Sequence, residues 1–302
     1  MEGSIQKFAR IGVVHFMAYP ACMGGDGPIL ETIEALAEDP LFEVLEITWI
    51  NDVELRKKAR SLAEKHRVDL YFGAQPILLG GGLNLNHPEN EERIKAIEAV
   101  KEGIRQAGDL GAKGVAVLSG KVSPDKNAAM ARLVDSLRQL AGYAREKALP
   151  LVLETFDQVP YGKNCLIGST TDAVTVSEEV RKEYPNFGLM LDLSHLPLQG
   201  ETSEHGIVTA GRHLVHAHIG NCAMDDPAHP AYGDNHPRFG ASGTRNDVFE
   251  LAEYLRVLLK TGYLSKDNRR VLSFEVKPMP GESSEEIIEE SKQKLYQAWN
   301  LV

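Results

Sequence analysis

The chain reads as an α/β protein folded into one (β/α)8 barrel, the TIM-barrel architecture. Three observations predict this. Eight short apolar runs alternate with amphipathic stretches over 302 residues, no linker or shift of composition divides them, and four of the runs end in a carboxylate or an imidazole. A barrel of this kind commonly needs about 250 residues and gathers the C-terminal ends of its strands around one mouth. Residues 1–302 are therefore expected to form a single domain.

Taken in order, the strands are expected at 10–16, 43–49, 68–74, 114–118, 150–154, 187–192, 213–219 and 271–276. They are rich in Val, Ile, Leu and Phe and nearly continuous in apolar character, as strands buried on both faces should be. Helical periodicity fills the intervals at about 28–38, 53–66, 90–110, 126–147, 172–184, 245–261 and 284–299, with a weaker segment near 203–211. Asn51 or Asp52 can cap the second helix, Ser123-Pro124-Asp125 opens the fourth, and Gly111 and Gly262 stand where helices should stop. An open doubly wound sheet is the alternative. It would place a glycine-rich turn after the first strand, and Gly24-Gly25-Asp26-Gly27 does not fit GxGxxG. The connections after strands 1, 3 and 7 are long, at 17–27, 75–89 and 220–244, which marks that face of the barrel as the functional one.

Composition narrows the class of partner. Hydrophobic residues make up 43% and charged residues 25%, values of a globular protein with a substantial core. The net charge of −10 disfavours nucleic acid phosphates and anionic lipid. Cys22, Cys165 and Cys222 are odd in number and far apart, so no disulfide framework is expected and a reducing compartment is the better fit. The opening residues Met1 to Lys7 lack the pattern of a signal peptide, and no apolar run is long enough to span a membrane. Cytoplasmic residence is the default expectation.

The chemistry lies at the strand ends. Glu154 closes Leu151-Val152-Leu153, Asp192 closes Leu189-Met190-Leu191, His218 closes Leu214-Val215-His216-Ala217, and Glu275 closes Val271-Leu272-Ser273-Phe274. Any one of them alone reads as a cap, a surface charge or, for Glu275, a partner of Lys277. Four at the same end of their strands converge on one point, and three carboxylates with one imidazole make a site for one divalent cation. The oxygen-rich set suits Mn²⁺ first, with Mg²⁺, Co²⁺ or Zn²⁺ as alternatives. His216 shares a face with His218 and reads equally as a core residue. Cys222 reads as inert.

These motifs, Leu153-Glu154, Asp192-Leu193-Ser194-His195, His216-Ala217-His218 and Phe274-Glu275, resemble the xylose isomerase-like TIM-barrel superfamily. That group holds sugar phosphate isomerases and epimerases, ketose 3-epimerases and AP endonucleases of family 2. The resemblance implies that Glu154, Asp192, His218 and Glu275 bind one metal, that Glu154 and Glu275 form the acid/base pair, and that His195 touches substrate. The reaction implied is isomerisation or epimerisation of a small sugar or sugar acid. The substrate carbon would lose its proton to one glutamate, and the metal-stabilised enediolate so formed would take a proton from the other.

The sequence also departs from the ketose 3-epimerase pattern. Pro160 stands where those enzymes carry a second glutamate, and Met224 stands where they carry an arginine. Arg238 in the long seventh loop reads either as a surface arginine or as a substrate-binding cation that meets a substrate carboxylate instead. His15 is a further candidate for substrate contact, and His87, His229 and His236 also fall in or beside mouth loops. Phosphorylated substrates fit less well, because the loops after strands 7 and 8 carry Asp225, Asp226, Asp234, Glu282, Glu285 and Glu286. Three other readings stand beside the first. The same centre could serve a decarboxylase, dehydratase or lyase of a keto-sugar acid. A nuclease resembling endonuclease IV would need three zinc ions and a basic groove, and a non-catalytic sugar-binding barrel would need no intact ligand set. The expected partner is a small carbohydrate, with no nucleic acid and no membrane, and homo-oligomerisation is left open.

Overall fold

The computed structural model describes residues 3–158 and 161–302, so Met1, Glu2 and the Pro160 position lie outside it. Eight parallel strands close into a barrel in sequence order. They are β1 (Arg10–Val14), β2 (Val44–Ile47), β3 (Asp69–Gly73), β4 (Val115–Leu118), β5 (Leu151–Glu154), β6 (Phe187–Asp192), β7 (Leu214–Gly220) and β8 (Val271–Glu275). Closure is made by β1 pairing with β8 in the register Ile11 with Leu272 and Val13 with Phe274. Each strand is followed by a helix of the outer ring: α1 (Ile29–Ala37), α2 (Val53–His66), α3 (Asn90–Asp109), α4 (Lys126–Glu146), α5 (Thr170–Arg181), α6 (Ser203–Ala210), α7 (Val248–Lys260) and α8 (Ser284–Asn300).

The strands are apolar throughout because helices cover one side and the barrel fills the other. Along β5, Leu151 and Leu153 join the main core outside the barrel, while Val152 packs inside it with Ala116 and Met190. Period two then carries the inward face on to the strand end. Val152 leads to Glu154, Met190 to Asp192, His216 to His218 and Ser273 to Glu275. The same alternation that builds the barrel floor therefore aims four ligand-type side chains at one place.

The helix starts follow local rules. Asp52 accepts from Leu55 N at 2.8 Å and Asp125 accepts from Ala128 N at 3.0 Å, while Asp247 and Ser283 close capping boxes with Glu250 and Glu286. Among the described residues, four short helical segments on the mouth face escape the periodicity: His15–Ala18, Pro20–Cys22, Gln75–Gly80 and His195–Gln199. Each occupies a connection on the mouth face and is too short for an amphipathic pattern. The connection after β5, which runs to Ser169, is long, as are those after strands 1, 3 and 7.

Candidate metal centre

One carboxylate oxygen or ring nitrogen from each of Glu154, Asp192, His218 and Glu275 lies within 4.8 Å of all the others, and all four residues are buried. Glu154 Oε2 accepts from Gln75 Nε2 at 2.8 Å, and its Oε1 has no hydrogen-bond partner among the described residues. Asp192 is fixed by its own turn, accepting from Ser194 N at 2.8 Å and from Ser194 Oγ at 2.6 Å. His218 is held on both sides of its ring. Nδ1 lies 2.7 Å from Glu275 Oε2, and Nε2 lies 3.1 Å from both oxygens of Glu46. Glu275 therefore pairs with His218, and with His236 Nε2 at 3.5 Å, rather than with Lys277.

The donor set suits a divalent cation. Three buried carboxylates crowd together, and an orphaned oxygen of Glu154 points at their meeting place; a buried anion without a partner is costly. The acids differ in how they bear this. Burial, and then repulsion from Glu275, pushes the Glu154 carboxyl well above the ordinary range. Glu275 suffers the same burial, but His236 and His218 outweigh it and hold the carboxylate low.

A second buried layer surrounds these four. Asp234 accepts from His195 Nε2 at 2.9 Å and from His236 Nε2 at 2.6 Å, and it forms an ion pair with Lys163. Burial opposes charge on all of them. The cations nonetheless hold Asp234 well below the usual carboxylate range, and Asp234 with Asp192 raises His195 to about 10. Atoms of Asp192, His195 and His236 also fall within 4.8 Å of one another, as do atoms of Glu46, His216 and His218. His236 reaches this layer in a left-handed backbone conformation, φ 49°, that L side chains seldom adopt. Gly220, at the end of β7, gives it room. A Cβ there would stand 2.7 Å from the Glu275 carbonyl and 3.0 Å from His236 Nδ1.

Above the cluster opens a cavity of about 500 Å³. Glu154, His218 and Glu275 form part of its floor, with Glu46 and Gln75 beside them. Asp192 is sealed beneath. Phe16, Met17, Met23, Trp49, Leu79 and Phe156 make the wall largely apolar, and Lys163, Lys277, Asp234 and Asn235 add polar groups.

The expected substrate contacts fall elsewhere. His195 is fully buried behind the wall, its Nδ1 donating to Thr155 O at 2.8 Å. His15 binds Thr32 Oγ1 at 2.7 Å and does not line the cavity, because the short helix His15–Ala18 turns its ring toward α1. Arg238 sits 45% exposed between Glu282 and Glu290, at 3.1 and 3.2 Å, and does not line the cavity either. His87 and His229 serve their own loops, at Glu89 N and at Ser242 O. Sequence reasoning passed over Glu46, Gln75 and Lys163. Glu46 was detectable as a charge at an inward position of an otherwise apolar strand. Gln75 and Lys163 lie in connections and carry no such signal.

Fold and site together define a TIM barrel with a buried acid and imidazole centre at the C-terminal ends of its strands. The chain belongs to the xylose isomerase-like TIM-barrel family, whose model matches residues 31–298. It is 30% identical over 103 residues to the D-psicose 3-epimerase of Ruminiclostridium cellulolyticum, a match that spans 34% of this chain and 33% of that protein. The structure of an L-ribulose 3-epimerase superposes with a TM-score of 0.74 at 17% identity, covering 97% of this chain and 96% of the other. An AP endonuclease of family 2 from Brucella melitensis superposes with a TM-score of 0.68 at 16% identity, covering 95% and 98%. At such identities the superpositions speak for the fold alone. No helix among the described residues is long and apolar enough to cross a membrane.

Proposed function

We propose that the protein is a divalent-metal-dependent isomerase or epimerase of a small sugar or sugar acid. The observation that carries this reading is the pair Glu154 and Glu275, both on the cavity floor and both in the four-residue ligand set. Glu154, Asp192, His218 and Glu275 would hold the ion, Mn²⁺ being the best match to three oxygens and one nitrogen. A bound divalent ion supplies Lewis-acid polarisation of a carbonyl and its neighbouring hydroxyl.

The two glutamates then have separable tasks. Unequal surroundings that push two acids apart mark an acid and a base. Glu275, held anionic by His218 and His236, is the proton acceptor. Glu154, which burial and Glu275 make the more basic of the two carboxylates, is the donor from the other side. A proton taken from one face and returned to the opposite face inverts a carbon; one returned to the adjacent carbon moves the carbonyl. Gln75 orients Glu154, and Glu46 orients His218. The apolar wall excludes water, so a substrate carbanion is shielded from stray protonation. The partial likeness to a D-psicose 3-epimerase points the same way.

The test is solvent deuterium exchange. The chain loaded with Mn²⁺ is incubated with keto-sugars in D₂O, and deuterium next to the carbonyl is read by NMR. Exchange that disappears in both Glu154→Gln and Glu275→Gln supports the reading. Exchange that persists in both would sink it.

A further inference from the structure

We propose that the substrate of this site is a sugar acid, its carboxylate held by the ammonium of Lys277. This deepens the proposed function and rests on it.

Lys277 lies two residues beyond Glu275, and continued alternation puts it on the same inward face. Both residues line the cavity. The backbone there is pinned, because Lys277 N donates to the His236 carbonyl at 2.8 Å. The cations on the cavity wall differ sharply in what they hold. His218 is taken by Glu46 and Glu275. Lys163 is committed to Asp234, with its ammonium 5.0 Å from the centre of the Phe156 ring. The Lys277 side chain makes no hydrogen bond or ion pair among the described residues, although it is half-buried in a largely apolar wall.

A neutral sugar filling the cavity would strip water from that charge without giving it a counter-ion, at a cost in desolvation. A carboxylate would satisfy it with a charge-assisted hydrogen bond. One ammonium suits one negative charge. A phosphate dianion would face Asp234 and Glu275 across the same cavity with one unpaired ammonium among the described residues to balance it. Arg238, the cation expected from the sequence, is held by two glutamates outside the cavity and cannot take this part without leaving both.

The experiment uses two unreactive polyols that differ only at one carbon, D-gluconate and D-glucitol, with glucitol 6-phosphate as the third probe. Binding to the Mn²⁺-loaded full chain is measured by calorimetry. Gluconate should bind about tenfold or more tightly than glucitol. Lys277→Met should erase that preference while leaving glucitol unchanged, and Lys277→Arg should keep most of it. Chelation of the ion by gluconate alone would not respond to position 277. Equal affinity for gluconate and glucitol overturns the inference, as does a preference for the phosphate or an equal loss of both polyols in Lys277→Met. Turnover of neutral keto-sugars that ignores Lys277→Met overturns it while leaving the isomerase reading intact. Absence of binding by all three probes, together with absence of deuterium exchange on any keto-sugar or keto-sugar acid, overturns both.

Discussion

The Nε2 atom of His218 lies 3.1 Å from both carboxylate oxygens of Glu46, on the side of the ring away from Glu275. A carboxylate only accepts, so with an ion held on Nδ1, the nitrogen turned toward Glu154 and Glu275, the proton of the ring stands on Nε2 toward Glu46. Glu46 thereby sets the tautomer and aim of the one imidazole in the ligand set, a partner that commonly matters 10- to 100-fold in metal affinity. Glu46→Gln should therefore weaken metal binding by about tenfold. Competition with a chelator measures it, and unchanged affinity would count against the orienting role.

Removal of either proposed acid or base should act more strongly on turnover than on folding. Glu275→Gln keeps the shape of the side chain and is expected to lower kcat by about 100-fold or more. Elemental analysis of Glu154→Gln, purified without added metal, should show loss of the roughly one ion per chain expected of the wild type. Turnover that survives Glu275→Gln at the wild-type rate removes Glu275 from the mechanism.

The raised Glu154 carboxyl gives a pH dependence with a definite sign. Burial and Glu275 lift it to about 8, whereas the unfolded chain releases that proton at an ordinary value near 4.5. Between those values the folded, cation-free protein holds the extra proton, so its stability falls as pH rises through the window. A cation competes with the same proton. Metal affinity should therefore rise from about pH 6 to about pH 8, by at most about tenfold per unit for each proton displaced. Affinity that is flat over this range would show that Glu154 is already ionised.

Gly220 should tolerate no side chain. The Cβ of Gly220→Ala would stand 2.7 Å from the Glu275 carbonyl, which is backbone and cannot swing aside, and 3.3 Å from Asp192 Oδ1. Denaturant unfolding should report a loss of about 1–3 kcal/mol, with weakened metal binding beside it. A stable variant with full affinity would mean that β7 and β8 can part at no cost.

Arg238 gives the contrasting case. Its ion pairs with Glu282 and Glu290 are 45% exposed on the arginine side, where such pairs contribute about 0–1 kcal/mol. Arg238→Ala should leave KM for any substrate unchanged. A large rise in KM would return Arg238 to the site.

The fold was legible because its signal is repeated. Val, Ile and Leu runs buried on both faces recur eight times, and most of the outer helices carry a side-chain cap, as at Asp52 and Asp125. Glu154, Asp192, His218 and Glu275 were legible as a group for the same reason, since each ends a strand and all the strands of a barrel end at one mouth. His15, Arg238 and Lys277 show the limit. All three lie next to mouth strands or loops, yet the first turns toward α1, the second pairs outside, and the third lines the cavity.

The sequence by itself determined the barrel and which side chains stand at its strand ends, because strand periodicity and parallel closure leave few alternatives. Only the tertiary structure decided which loop groups enter the cavity. A loop side chain's direction is set by packing against residues far away in the chain, as when Asp234 gathers His195, His236 and Lys163, and no local pattern encodes that contact.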